Sequence, residues 1–144
     1  LRVERKLATT SKTMKKFALT LCTLVVSSIV AFAAEKFPDI SHDELKKAIE
    51  EKKVTLIDVN GSNSYQKGHI PGAIDFASSK EELAAKLPAD KNALIVAYCG
   101  NEQCSAYARG AKAAKELGYT NVKHYSKGIQ GWKKAGEKLE KSDS

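Results

Sequence analysis

A chain of 144 residues, 42% apolar and 28% charged, is long enough to bury one hydrophobic core and too short for several. Its formal charge of +7 has the magnitude of a nucleic-acid binder. Five of those charges, however, lie in the first 33 residues, where Arg2, Arg5, Lys6, Lys12, Lys15 and Lys16 stand against Glu4. The remainder carries only +2 and gives no case for nucleic-acid binding.

Residues 1–13 precede Met14, the single methionine, and are expected to be an over-called start or an added leader. From Met14 the chain runs through Lys15-Lys16, an apolar stretch from Phe17 to Phe32, and the small-x-small site Ala31-Phe32-Ala33. A basic start, an apolar centre and small residues at a cleavage site predict a secretory signal peptide, removed after about Ala33. The alternative is a membrane anchor, because the apolar stretch nears the shortest span. Four hydroxyl residues and the cleavage site favour removal. Bulky Leu21 before Cys22 argues against a lipoprotein cysteine. Residues 34–144 are then an exported single domain, monomeric and free of the membrane, with its core over about 38–135.

In that part Ser41 and Glu44 form a potential capping box, and Leu45, Ala48 and Ile49 make a helical stripe over about 42–51. Val54 to Val59 predicts a strand closed by the turn signal Asn60-Gly61. Ser62 to Gly68 predicts a short helical turn. The rigid loop Gly68-His-Ile-Pro-Gly-Ala73 leads into a short strand near Ile74. Ser79 with Glu82 predicts a second capping box opening a helix to about Leu87, ahead of Pro88. Leu94 to Cys99 is apolar with β-branched members and predicts a buried strand. A helix follows from about Ser105 to Leu117, stopped by Gly118. Asn121 to Tyr125 is a last strand, and Ile129 to about Ala135, with Trp132, a last short helix. The charged tail from Gly136 is expected to fray. Strands alternating with helices predict an α/β fold, a parallel sheet covered on both faces.

Cys99 is the chemical focus. It closes a predicted strand and precedes the polar stretch Gly100-Asn-Glu-Gln-Cys-Ser105 and a helix. The carboxyl ends of strands in open α/β sheets are where ligands bind. Loop amides and the helix dipole favour an anion there, so the thiolate forms readily and Cys99 is expected to be a nucleophile. With Cys104 it makes a close pair, lacking zinc-site spacing but suggesting chemistry or a disulfide. Asp58, at a strand end, is a general base or, the favoured reading, a partner for loop amides. His69 is expected to fix its loop. His42 and His124 show no ligand spacing, so no metal is expected and no cofactor is implied. Trp132 and Tyr98 are expected in the core or a pocket wall.

Leu56-Ile-Asp-Val59, Tyr65, Gly68-His-Ile-Pro-Gly-Ala73, Tyr98-Cys99, Gly118-Tyr119 with Val122, and Gly128 with Trp132 resemble the rhodanese domain in order and spacing. The size and export signal resemble the small periplasmic rhodaneses of bacteria. That resemblance implies a three-layer α/β fold with a central, mostly parallel sheet flanked by helices, and sulfurtransferase activity. It implies that Cys99 takes a sulfane sulfur from a small donor such as thiosulfate, holds it as a persulfide, and passes it to a thiol or cyanide. Gly100, Asn101, Glu102, Gln103, Cys104 and Ser105 are then the amide cradle for that sulfur. Phosphatases of related fold need an arginine where Ser105 stands, so a phosphoryl dianion is poorly held. Glu102 places a carboxylate in a loop without Arg or Lys. That should repel thiosulfate and favours a less charged donor, a polysulfide or small persulfide, unless Arg109 or Lys127 compensates.

Two readings of Cys104 remain. It is a resolving thiol for Cys99 or a small side chain packed at the first turn of the helix. The packed reading is favoured, since a cradle pointing Cys99 inward is expected to hold the two Cα atoms beyond about 7 Å, too far to bridge. Two further function classes stand beside the sulfurtransferase: a thiol–disulfide redox protein using both cysteines, and a non-catalytic sulfur carrier.

Overall fold

The structure, a computed structural model, describes residues 36–142. The expected leader, signal peptide and Cys22 lie outside the described residues. Four strands form one parallel sheet: β1 (Val54–Asp58), β2 (Ile74–Asp75), β3 (Leu94–Tyr98) and β4 (Val122–Tyr125), in the order β2-β1-β3-β4. The central pair is in register from Val54 opposite Leu94 to Asp58 opposite Tyr98. Beyond β4 the chain at Pro38–Ile40 adds a short parallel pairing through Ile40 N–H to His124 O and His124 N–H to Pro38 O.

Side chains alternate along each strand and so divide between two cores. Ile57, Val59, Ile95, Ala97, Cys99 and Val122 face one side, where α5 (Tyr107–Glu116) lays Ala111 and Ala114 over them. Phe76 of α3 (Phe76–Ser79) and Leu83 of α4 (Leu83–Lys86) close the same side. Leu56, Val96, Tyr98 and Tyr125 face the other, under Leu45 of α1 (His42–Glu50) and Trp132 of α6 (Gly128–Lys134). The remaining helix, α2 (Ser62–Lys67), contributes Tyr65 there. α5 approaches the sheet closely because Gly110 has no side chain. A Cβ at that position would lie 2.9 Å from methyls of Ile57 and Val59.

Most expected elements are present with ends shifted by a residue or two. The capping box of α1 is formed, with Ser41 Oγ accepting from Glu44 N–H and the Glu44 carboxylate accepting from Ser41 N–H. The second box is not. Ser79 is buried at the end of α3, whose cap is Asp75, and its hydroxyl accepts from Lys86 Nζ instead. Two four-residue helices replace the single expected one. The apolar anchors Phe76 and Leu83 are seven apart in the chain, and a turn between them seats both in the core.

The tail is held in place as far as Glu140 rather than frayed from Gly136. Glu140 and His69 exchange both backbone hydrogen bonds at 2.9 Å, Trp132 Nε1 donates to Lys138 O at 2.9 Å, and Leu139 packs on the core beneath. Glu137 accepts from Lys46 Nζ at 2.8 Å. The charged composition predicts fraying, but tertiary partners outweigh it. Ending the chain at Gly136 removes these bonds and the Leu139 contact, for an expected loss of about 2–4 kcal/mol. Urea unfolding of the truncated and full chains checks this; equal midpoints would mean that the tail contributes nothing.

Candidate active site

Cys99 follows the last residue of β3 at the carboxyl edge of the sheet and is 2% exposed. Its backbone is held from the opposite side of the site. The carbonyls of Cys99 and Gly100 accept from Ile129 N–H at 2.9 Å and Gln130 N–H at 3.0 Å, in the first turn of α6. Such amides have no partner within their own helix, so the strand end and the helix start satisfy each other. The approach requires glycine at 128. Its φ is +59°, and a Cβ would stand 2.5 Å from Cys99 O and 2.8 Å from Asn101 N.

The loop after Cys99 turns back on itself. Asn101 accepts from Gln103 N–H on its side-chain oxygen at 3.1 Å and from Cys104 N–H on its carbonyl at 3.0 Å. Asparagine commonly makes such a local turn, bonding an amide two residues on. The turn brings Cys104 over Cys99, and the two form a disulfide with Cα atoms 6.2 Å apart. The expected separation beyond bridging distance is therefore overturned: the tight turn at Asn101 shortens it to within the usual disulfide span. Cys104 also packs against the α5-side core, so the packed reading describes its surroundings, while its sulfur is bridged to Cys99. The expected amide cradle is altered too. In the bridged state the Gln103 and Cys104 amides bond within the loop, and Cys99 Sγ lies 3.1 Å from the Cys104 carbonyl oxygen.

Asp58 accepts from the turn amide after β1, the bonding that its favoured reading predicts. At 1% exposure it accepts from Asn60 N–H at 2.7 Å, Asn60 Nδ2 at 2.9 Å and Tyr98 OH at 2.7 Å. Tyr98 OH in turn accepts from Ile70 N–H at 3.0 Å, which fastens the Gly68–Ala73 loop to the centre of the sheet. Burial pushes the Asp58 carboxyl above the usual range, with the Tyr98 and Asn60 bonds pulling it back in part. The Tyr98 hydroxyl is pushed far up, first by burial and then by the Asp58 charge, so it stays a donor. His69 also fixes its loop, its Nδ1–H donating to Tyr65 O at 2.8 Å and its ring stacked on Tyr65.

An open cavity of about 410 Å³ lies beside the cysteine loop, lined by Asn101, Glu102 and Gln103 on one side and Lys127, Gln130 and Lys134 on the other. Lys127 is thus brought to the loop. Arg109 is not; it lines a separate cavity with Asn60, Phe76 and Lys80. Ser105 is exposed, and Gly100 sits 3.7 Å, measured from its would-be Cβ, from the Asn60 side chain. Lys134 and Gln130 were not foreseen. Positions 127, 130, 131 and 134 follow a helical spacing, so one face of α6 meets the loop once Gly128 is seen to touch it. Among the described residues no group of three or more His, Cys, Asp or Glu side chains could hold a metal ion.

The family model of the rhodanese-like domain matches residues 41–135. The chain belongs to the rhodanese-like domain family. A stretch of 98 residues is 36% identical to an HTH-type transcriptional regulator of Mycobacterium tuberculosis, covering 67% of this chain and 42% of that protein. This chain therefore spans less than half of that relative. Over 102 residues it is 29% identical to the thiosulfate sulfurtransferase GlpE of Shewanella oneidensis, covering 69% of this chain and 95% of GlpE. Among solved structures, SseA of Escherichia coli, a 3-mercaptopyruvate sulfotransferase, has a TM-score of 0.60 at 17% identity over 76% of this chain and 52% of its own. The human single-domain sulfurtransferase TSTD1 has a TM-score of 0.56 at 22% identity over 67% of this chain and 96% of its own. These likenesses show the rhodanese fold.

Two substitutions test how this rhodanese-like domain holds its cysteine loop. Gly128→Ala forces a Cβ against the Cys99 and Gly100 backbone and is expected to cost about 2–4 kcal/mol of stability, visible as a lowered Tm. Tyr98→Phe leaves the Asp58 carboxylate and the Ile70 amide each short of a partner, and should cost about 1–3 kcal/mol in denaturant unfolding. An unchanged midpoint in the second variant would show that the clasp between strand and loop contributes little.

Proposed function

We propose that this chain is a rhodanese-type sulfurtransferase that carries sulfur on Cys99. The observation carrying this reading is the position of Cys99 in a rhodanese-like fold. It stands at the carboxyl end of a central parallel strand, before a polar loop and a helix, beside an open cavity with two lysines. Reduction of the bridge to Cys104 frees the sulfur. The Cys99 thiolate then attacks the outer sulfur of a donor, R–S–S⁻ or thiosulfate. The new S–S bond forms as the old one breaks, and a thiolate or sulfite leaves. The product is a Cys99 persulfide, with the Gly100–Ser105 loop as its seat. An acceptor thiolate or cyanide takes the terminal sulfur, giving a new persulfide or thiocyanate and restoring Cys99.

The charge at the cavity bears on the donor. Glu102 alone would disfavour an anion, but Lys127 and Lys134 line the same cavity, so its balance is positive. A small anionic donor fits this, whether a polysulfide, a low-molecular-weight persulfide or thiosulfate, since Lys127 offsets Glu102. The basic, apolar and small-residue pattern of residues 14–33 supports a setting in the bacterial periplasm.

The Cys99–Cys104 bridge favours a second reading, a thiol–disulfide redox protein without sulfur transfer. Incubating the reduced chain with polysulfide or thiosulfate, then measuring intact mass and thiocyanate formation with cyanide, separates the two. Thiocyanate is expected from the reduced chain, and one gained sulfur atom in Cys104→Ser, where no second thiol can displace it; both are lost by roughly a thousandfold or more in Cys99→Ser. Loss of two hydrogens with no sulfur transferred at any stage would replace this reading by the redox one.

A further inference from the structure

The disulfide joins the residue proposed to carry sulfur to a neighbour five residues on, and that pairing is built into the loop. The Asn101 turn holds Cys104 above Cys99 with Cα atoms 6.2 Å apart, while Ile129 and Gln130 pin the Cys99 and Gly100 carbonyls from behind. Cys99 is almost wholly buried, whereas Cys104 is partly exposed and lies directly over it. A sulfur loaded on Cys99 therefore has a thiol of the same chain within reach before any external acceptor arrives. Reactions between groups so placed run at effective concentrations far above those of a free thiol.

We propose that Cys104 discharges the Cys99 persulfide as sulfide, giving the protein a sulfide-releasing activity. The inference rests on sulfur loading at Cys99. An external acceptor attacks the outer sulfur and carries it away. Cys104 attacks the inner one: its thiolate forms the Cys99–Cys104 bond, the bond between inner and outer sulfur breaks, and the outer sulfur leaves with both electrons. In balance, Cys99–S–S⁻ and Cys104–SH give the disulfide and HS⁻. The outer sulfur is reduced and the Cys104 sulfur is oxidised, while the Cys99 sulfur exchanges one S–S bond for another, so no outside oxidant is needed. A dithiol reductant then opens the bridge by exchange, becoming a disulfide itself and returning both thiols. The bridged structure is the state left after sulfide departs.

The geometry also sets how the two fates compete. Transfer requires an acceptor to reach a sulfur beneath a closed loop, and discharge requires only Cys104. Small acceptors such as cyanide can compete, whereas bulky thiols lose to the internal one. The protein thus releases sulfide when reductant is plentiful and stops in the bridged form when reductant is exhausted.

The test uses the full chain, reduced and freed of reductant, with polysulfide added in equal amount. Free sulfide, intact mass and alkylatable thiols are followed together, beside a sample without donor. Wild type is expected to release one sulfide per chain attributable to loading, losing both thiols as the disulfide appears. Cys104→Ser is expected to accumulate the persulfide, cut that sulfide release about tenfold or more, and yield more thiocyanate per sulfur loaded. Cys104→Ala, tested alongside with circular dichroism to show folding, should match it. A wild-type persulfide that persists with Cys104 still alkylatable overturns the discharge but leaves the sulfurtransferase reading standing. Folded Cys104 variants and wild type that never gain sulfur overturn both.

Discussion

A single buried carboxylate organises the carboxyl end of the sheet. Asp58 ends β1, and ionised carboxylates are costly to remove from water unless donors surround them. Here the donors come from three segments: the Asn60 turn after β1, Tyr98 at the end of β3, and, through the Tyr98 hydroxyl, the Ile70 amide of the following loop. The strand end next to Cys99 cannot move without leaving part of this chain unpaired. Because Tyr98 precedes Cys99, its side chain faces α1 and α6 while Cys99 faces α5. The clasp and the sulfur thus occupy opposite faces of one strand, and Asp58 acts on the sulfur only by holding the backbone between them.

The second fastening comes from α6. Its first amides take the carbonyls of Cys99 and Gly100, and the close approach at Gly128 leaves no room for a side chain. One end of the cysteine loop is therefore rigid where it leaves β3, and the other enters the first turn of α5 through Ala108 and Arg109 bonds to Ser105 and Ala106. Between these ends the Asn101 turn decides how close the two cysteines come. In this loop the disulfide belongs to a short segment with both ends anchored, so opening it changes the surroundings of one sulfur without disturbing the sheet.

Periodicity made most of the fold legible. The run over residues 94–97 and, in its partner strand, Leu56 and Ile57 place apolar side chains on both faces, as a parallel strand buried between helices must. The position of Cys99 followed from where that run stops, and the capping box of Ser41 and Glu44 from local chemistry alone. What escaped was non-local. Ser79 and Glu82 have the spacing of a cap, yet burial of Phe76 and Leu83 takes Ser79 into the core. The tail looks disordered by charge, yet His69 and Trp132 offer partners that no local pattern announces. The distance between Cys99 and Cys104 depends on one asparagine turn, and Lys134 reaches the loop only because α6 packs there.

The charges at the cavity weigh less than their number suggests. Glu102, Lys127 and Lys134 lie beside an open cavity, and Glu102 and both lysines are exposed. At such positions an ion pair is worth about 0–1 kcal/mol and is screened over roughly 8–10 Å of salt solution. These side chains steer an approaching anion more than they hold a bound one. Selectivity for the proposed donor must then arise closer to the sulfur, where water is excluded and the same charges or dipoles count for more. The groups nearest the buried sulfur are the backbone on either side of Cys99 and the Cys104 carbonyl. Whether amides or a carbonyl face Cys99 decides whether an anion there is favoured. With the bridge closed, the Cys104 carbonyl oxygen lies 3.1 Å from Cys99 Sγ, and a carbonyl dipole so placed opposes negative charge on that sulfur.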